Sequence, residues 1–297
     1  MNRNATLAIA TVLLLAAAPA LAGRTPIDET RKVDGDAVVR VDNLAGSITV
    51  TGWDKNEVQI RGELDEKADE LRIDGGGDHL DIEVVYPKKK NLNIREGSVL
   101  TLRVPHGCSL ELQGVSSDVE VRDLRGTIQS STVSGDVQIH GKPAAVKIAS
   151  VSGEVTVEAE SDEVSIESVS GRIEVRGARR SLEINLVSGD ADVQAGELER
   201  LRFNAVSGDL DLRADPARNA DWELDCHSGE LTLELPGGLD ADFDINLFSG
   251  DLHNDFGPKA ERTSKFAPGK ELRFTAGKGG ARVEINTFSG DVRLVKR

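Results

Sequence analysis

The sequence predicts an all-β fold, a β-solenoid of the right-handed β-helix kind, with coils of about 18 to 21 residues, two short strands in each, and a cap at both ends. Three observations carry this. The residues preceding a Ser fall at Val115, Val133, Val151, Val169 and Val187, an unvarying step of 18, and then at Val206, His227, Phe248 and Phe288, steps of 19, 21, 21 and 40. A step held over so many units marks a repeat protein. Within a unit, apolar residues alternate with polar ones on both sides of Ser-Gly, as at Leu182, Ile184, Leu186, Ala191 and Val193, the period of two that belongs to strands. The columns also keep their identity, Ser134 over Ser152 over Ser170 over Ser188, as in-register parallel coils require.

Taken in chain order, residues 1–22 read as a signal peptide. Arg3 precedes an apolar run from Leu7 to Ala18, and Ala20-Leu21-Ala22 supplies the small-x-small cleavage pattern, with cleavage expected after Ala22. The run is shorter than the ~20 residues that cross a bilayer, and no Cys follows Ala22 to carry a lipid. The mature chain is expected to be exported to the periplasm or cell surface, with no transmembrane segment. Residues 23–110 carry the same strand chemistry ("AVVRVDNLAGSITVTGW", "SVLTLRVPHG") without the fixed register, and read as an N-terminal β region and cap.

Residues 111–297 read as the repeat domain. A hairpin turning at Ser152-Gly153 would place Val151 and Glu154 on one face, mixing an apolar and an acidic column, whereas a solenoid corner lets the residues on both sides of the bend point inward. The corners are then Gly135, Gly153, Gly171, Gly189, Gly208, Gly229, Gly250 and Gly290, because Gly alone takes positive φ at little cost. On this reading His227 replaces a core Val. An irregular insertion is expected near 252–280, where Pro258 and Pro268 break the strands, and the step of 40 reads as two units, one without Ser-Gly. Arg293, Lys296 and Arg297 are expected to blunt an exposed last strand.

The succession "NLAGSITVTGWDKNEVQIRG", "LRVPHGCSLELQGVSSDVEV", the run of "VSGD" units and the closing "GKGGARVEINTFSGDVRL" resembles a bacterial adhesin-like family of unknown function, related to auto-transporter adhesin head domains. The resemblance covers nearly all of the mature chain. It implies an envelope-associated β-solenoid without established chemistry. The sequence departs from the pattern at Ser117, where Gly is usual, and at Arg172, where an acid is usual.

Composition narrows the function. The formal charge of -15 becomes -16 once Arg3 leaves with the leader, which excludes nucleic acid as a partner and leaves an envelope or cell-surface partner of unknown identity. Cys108 and Cys226 lie about six coils apart, ~29 Å along the stack, too far for a disulfide. The histidines show no metal-ligand spacing, and the Ser-Gly pairs lack the strand-to-helix setting of a nucleophile. A carbohydrate-active β-helix enzyme, a polysaccharide lyase or hydrolase, is the alternative. Short coils and 3% aromatic residues count against it. No catalytic residue and no cofactor is expected. One cluster stands out: Asp190, Asp192, Asp209 and Asp211 on adjacent coils form a candidate weak divalent-cation patch, calcium above all. A polar column, Asn185, Asn204, Asp225, Asn246 and Asn286, runs beside it.

Overall fold

The computed structural model describes residues 24–88, 94, 96–259, 261–264 and 267–297. The expected signal peptide lies outside them. Among the described residues there is strand and no helix, so the fold is all-β, and no helix is long and apolar enough to cross a membrane.

Parallel pairing in register builds the stack. Ile173 pairs with Val155 on one side and Ala191 on the other, and Ile184 pairs with Ile166 and Phe203. Each unit thus lies one strand spacing from the next. The interior is filled from both sides of the corner by residues such as Val164, Ile166, Ile173 and Val175, all buried. Where the step lengthens from 18 to 19 and 21, the core widens and takes Phe203, Trp222 and Phe243. The Trp222 indole N–H is satisfied by Leu198 O at 3.3 Å.

The strands are longer than the two short ones expected per coil. Val155–Ser170, Ile173–Ser188, Ala191–Ser207 and Leu210–Ser228 each run from one Ser-Gly corner to the next. The segments "RGARR" and "RADPARN" are therefore bends and bulges inside continuous strands, seen as register shifts between Arg176 and Ser181 and between Leu198 and Arg200.

The two ends are interleaved. Residues 38–51 pair in parallel with 109–122 on one side. On the other side they meet 79–83 and 98–105, which follow them in sequence. The stack thus reaches two layers beyond the fixed repeat, and Leu44-Ala45-Gly46 stands in the columns of Val115-Ser116-Ser117. At the far end, Ala281–Ser289 and Val292–Lys296 lie between Leu210–Ser228 with Leu231–Leu235 and Ala241–Ser249 with Leu252–Asn254. The layer order in space is therefore Gly229, Gly290, Gly250.

This corrects two expectations. Residues 292–294 are paired on both edges, so Arg293 does not guard an open strand; Arg293 bonds Glu230, and Arg297 bonds Asp215. The step of 40 is not two stacked units either. After Leu252–Asn254 the chain makes an antiparallel arm, Ala267–Ala276 on Ala241–Ser249, before the inserted layer. Antiparallel strands also close the other end, where Glu57–Leu64 pairs with Ser98–Pro105.

Candidate functional site

The "VSGD" corner assigns each of its four residues a separate task. Ser134, Ser152 and Ser170 each donate from Oγ to the carbonyl of the residue before Ser in the preceding coil, Val115, Val133 and Val151, at 3.3 Å. The acid accepts from the next coil: Asp118 Oδ1 from Asp136 N at 3.1 Å, Asp136 Oδ1 from Glu154 N at 2.9 Å, and Asp209 Oδ1 from Glu230 N at 2.7 Å. The glycines stack directly. A Cβ on Gly171 would lie 2.1 Å from Gly153 O, and one on Gly189 would lie 2.1 Å from Gly171 O. Seven of the eight expected corner glycines have positive φ, and Gly208 is the exception. Ser117, which departs from the pattern, donates from Oγ to Asn43 O at 2.6 Å in the neighbouring layer, where both residues are buried.

The valine column is not core, which corrects the inward assignment. Val115, Val133, Val151, Val169, Val187, Val206, Phe248 and Phe288 are 43 to 55% exposed. Strand alternation persists up to the corner: Leu186 is buried, Val187 faces out, and Ala191 is the next inward residue. His227 belongs to the same exposed row and stacks on Phe288 at 4.9 Å, with Phe248 on the other face of Phe288 at 4.7 Å. The result is a straight apolar ridge along the stack.

Beside the ridge runs a groove of about 1280 Å³. Its floor is the column that includes Gly114, Thr132, Ser150, Ser168, Leu186 and Ala205, and Gly269 and Lys270 line it at the Phe248 end. Its far wall begins with Gln113, Ser131, Ala149 and Glu167 and continues as the polar column from Asn185 to Asn246. Asn204 Nδ2 donates to Asn185 Oδ1 (2.8 Å), Asn286 Nδ2 to Asp225 Oδ1 (2.9 Å) and Asn246 Nδ2 to Asn286 Oδ1 (3.1 Å). This is an amide ladder whose members partner one another. The floor hydroxyls of Thr132, Ser150 and Ser168 donate to backbone carbonyls two residues on. Thr287 Oγ1 has no partner.

The four aspartates sit as the repeat places them, with Asp192 in register with Asp211. Burial pushes the Asp211 carboxyl above its ordinary value, and Asp192, Glu230, Asp209 and Glu234 add to the shift by repulsion. Asp190 lies 3.8 Å from the Arg172 guanidinium. Among the described residues no three His, Cys, Asp or Glu side chains converge on a point that could hold a metal. Cys108 and Cys226 are free and buried, and burial pushes the Cys108 thiol up to about 11.

Fold and surface together define an all-β repeat protein, stacked in parallel, that presents one long apolar ridge and groove. The chain belongs to the Toastrack DUF4097 family, whose match spans residues 35–295. No curated protein matches it. Three solved structures are similar in part. A candidate cell adhesion protein from Clostridium sporogenes is 10% identical (TM-score 0.26, 92% of this chain, 100% of that one). A candidate adhesin from Bacteroides fragilis is 13% identical (0.47, 92% and 99%). A candidate lipid-binding protein from Parabacteroides distasonis is 14% identical (0.47, 92% and 97%). At these scores the likeness transfers no function.

Proposed function

We propose that the chain is an exported, non-enzymatic β-solenoid, a binding or scaffolding module of the cell envelope whose contact surface is the ridge-and-groove face. The observation that carries this is the ridge itself. A row of apolar side chains about half exposed, running along the nine repeat coils and rimmed by polar residues, reaches the upper end of the patch sizes that soluble monomers show, where such patches are often contact sites. The corner chemistry supports a structural role for the repeat, since its Ser, Gly and Asp are engaged in joining coils.

In this reading residues 1–22 direct export and are removed after Ala22, residues 23–110 form the N-terminal region and cap, and 111–297 form the repeat domain with its irregular insertion near 252–280. The aspartate patch at Asp190, Asp192, Asp209 and Asp211 is a secondary feature that takes up divalent cations weakly at the surface. The test is capture from envelope extracts with the wild type and with Val187→Lys, whose charge sits at the middle of the ridge. A polysaccharide panel is run alongside it. Specific capture lost in the variant, with no turnover of any polysaccharide, is expected. Equal capture by both, or turnover abolished by replacing one carboxylate, would defeat the proposal.

A further inference from the structure

We infer that the ridge-and-groove face is a self-association surface, on which two copies of the chain pair about a two-fold axis perpendicular to the stack, each laying its ridge in the other's groove. This rests on reading that face as a contact surface and names its occupant. The groove is one side chain wide. Ridge and wall residues of a coil, such as Val187 and Asn185, are two apart on a strand, ~6.6 Å, with Leu186 as the floor between them. Its nine coils span about 38 Å at ~4.8 Å each. What fills such a trough is a straight row of projecting apolar groups with the same repeat, and the molecule carries that row along the groove's own edge. An antiparallel pair brings row and groove together twice, the isologous arrangement that closes on itself, with the dry interdigitation of a steric zipper.

Area and polarity agree. Six valines and two phenylalanines at these exposures offer roughly 600 Å² per copy. With the groove walls this approaches the ~800 Å² per partner of a stable interface. The ridge carries no Lys, Arg, Asp or Glu. The half of the wall from Asn185 to Asn246 is already hydrogen-bonded within itself, so covering it strands few polar groups; in the other half Gln113 and Glu167 keep their polar ends at the wet rim of the pair. Other occupants fit less well. The Phe288 ring is sandwiched between His227 and Phe248, which leaves it no open face for a sugar ring. The Lys270 ammonium at the groove's end is held by Gly250 O at 2.7 Å and Asp251 Oδ1 at 2.6 Å, a poor receptor for an anionic lipid head.

Val187 is in the fifth of the nine coils, so the axis passes beside it and sets it against its own copy. The two Val115 positions would lie ~38 Å apart. The native thiols are buried and do not interfere. Sedimentation of the purified protein is expected to show a dimer at tens of micromolar, tightening several-fold when ionic strength rises from about 0.05 to 0.5 M as like charge is screened. Val187→Lys should be monomeric and should melt like the wild type diluted below its dimerisation range. Val187→Cys should oxidise to a covalent dimer at least ~10-fold faster than Val115→Cys, because a disulfide needs Cα atoms within about 7 Å. A wild type that stays monomeric at ~100 µM, well above the Kd of a stable interface, overturns self-association, as does equal crosslinking at both positions or a monomer carrying a stoichiometric acyl chain. If that monomer still loses envelope capture in Val187→Lys, the contact surface stands and only its occupant is wrong. If Val187→Lys alters neither assembly nor capture, both readings fall.

Discussion

Three glycine-to-alanine substitutions separate the reasons that Gly occupies the corners. Gly171 has φ of 134° and its Cβ would sit 2.1 Å from Gly153 O. Gly208 would meet Gly189 O at the same 2.1 Å without a φ in the left-handed range, and Gly196 has nothing within 4 Å. A non-Gly residue held at such φ costs on the order of 1–3 kcal/mol, and forcing an atom into a packed site costs typically ~1–3 kcal/mol more. Gly208→Ala should therefore lose about 2 kcal/mol and Gly171→Ala about 4 kcal/mol, while Gly196→Ala should be neutral or gain about 0.5 kcal/mol through the unfolded chain. The first two correspond to roughly 5 and 10 °C of melting temperature for a chain of this size. Denaturant titration of the three proteins measures the order directly. If Gly208→Ala unfolds with Gly196→Ala, the close approach of corner backbones does not select glycine; if Gly171→Ala equals Gly208→Ala, the backbone angle contributes nothing.

Asp211→Asn should raise the melting temperature at pH 7 by about 1–2 °C and leave it unchanged near pH 3. A carboxyl whose folded pKa lies above its unfolded value favours the folded state only while protonated, and that advantage is lost as pH rises from about 4 through the folded pKa. A gain of the same size at both pH values would assign the effect to something other than charge. Millimolar calcium should raise the melting temperature slightly relative to chelator, and Asp209→Asn with Asp211→Asn should remove the shift; identical curves for the wild type in both buffers would reduce the patch to a solvated face. Both cysteines should resist a thiol reagent in the native protein and react once unfolded. Rapid native labelling of Cys108 would contradict its burial. Edman sequencing of the exported protein should start at Gly23, and recovery of Met1 would refute cleavage.

What could be read from residues was whatever one coil decides for itself. The step from Val115 to Val187 and the alternation at Leu182, Ile184 and Leu186 carry strand, register and stacking, because those depend on neighbours within a unit. The direction of Val187 was misread because two adjacent apolar residues at a bend look like a doubled core position, whereas the floor at Leu186 closes the core and the alternation runs on. The order of the end layers was beyond local pattern. Val292 pairs with Leu231 on one edge and Leu252 on the other, three segments with similar chemistry that no local rule ranks. One signal was available: Leu44-Ala45-Gly46-Ser47 is a corner in the same columns as Val115, hidden because it stands 71 residues away rather than 18.

The interleaved ends bear on how this molecule is made and how it can change. Ala281–Lys296 is the last of the stacked segments to leave the ribosome, yet its place is between two layers translated before it. The Gly250 layer therefore waits without its inner neighbour until the chain through residue 296 is free to fold, and late closure ties the end of the stack to the layers before it. The same arrangement confines duplication. A unit added between Ser117 and Gly229 meets matching faces above and below, whereas one appended beyond Gly250 meets an antiparallel arm that offers no parallel template. Length can grow only from the middle, and every such insertion lengthens ridge and groove by the same increment.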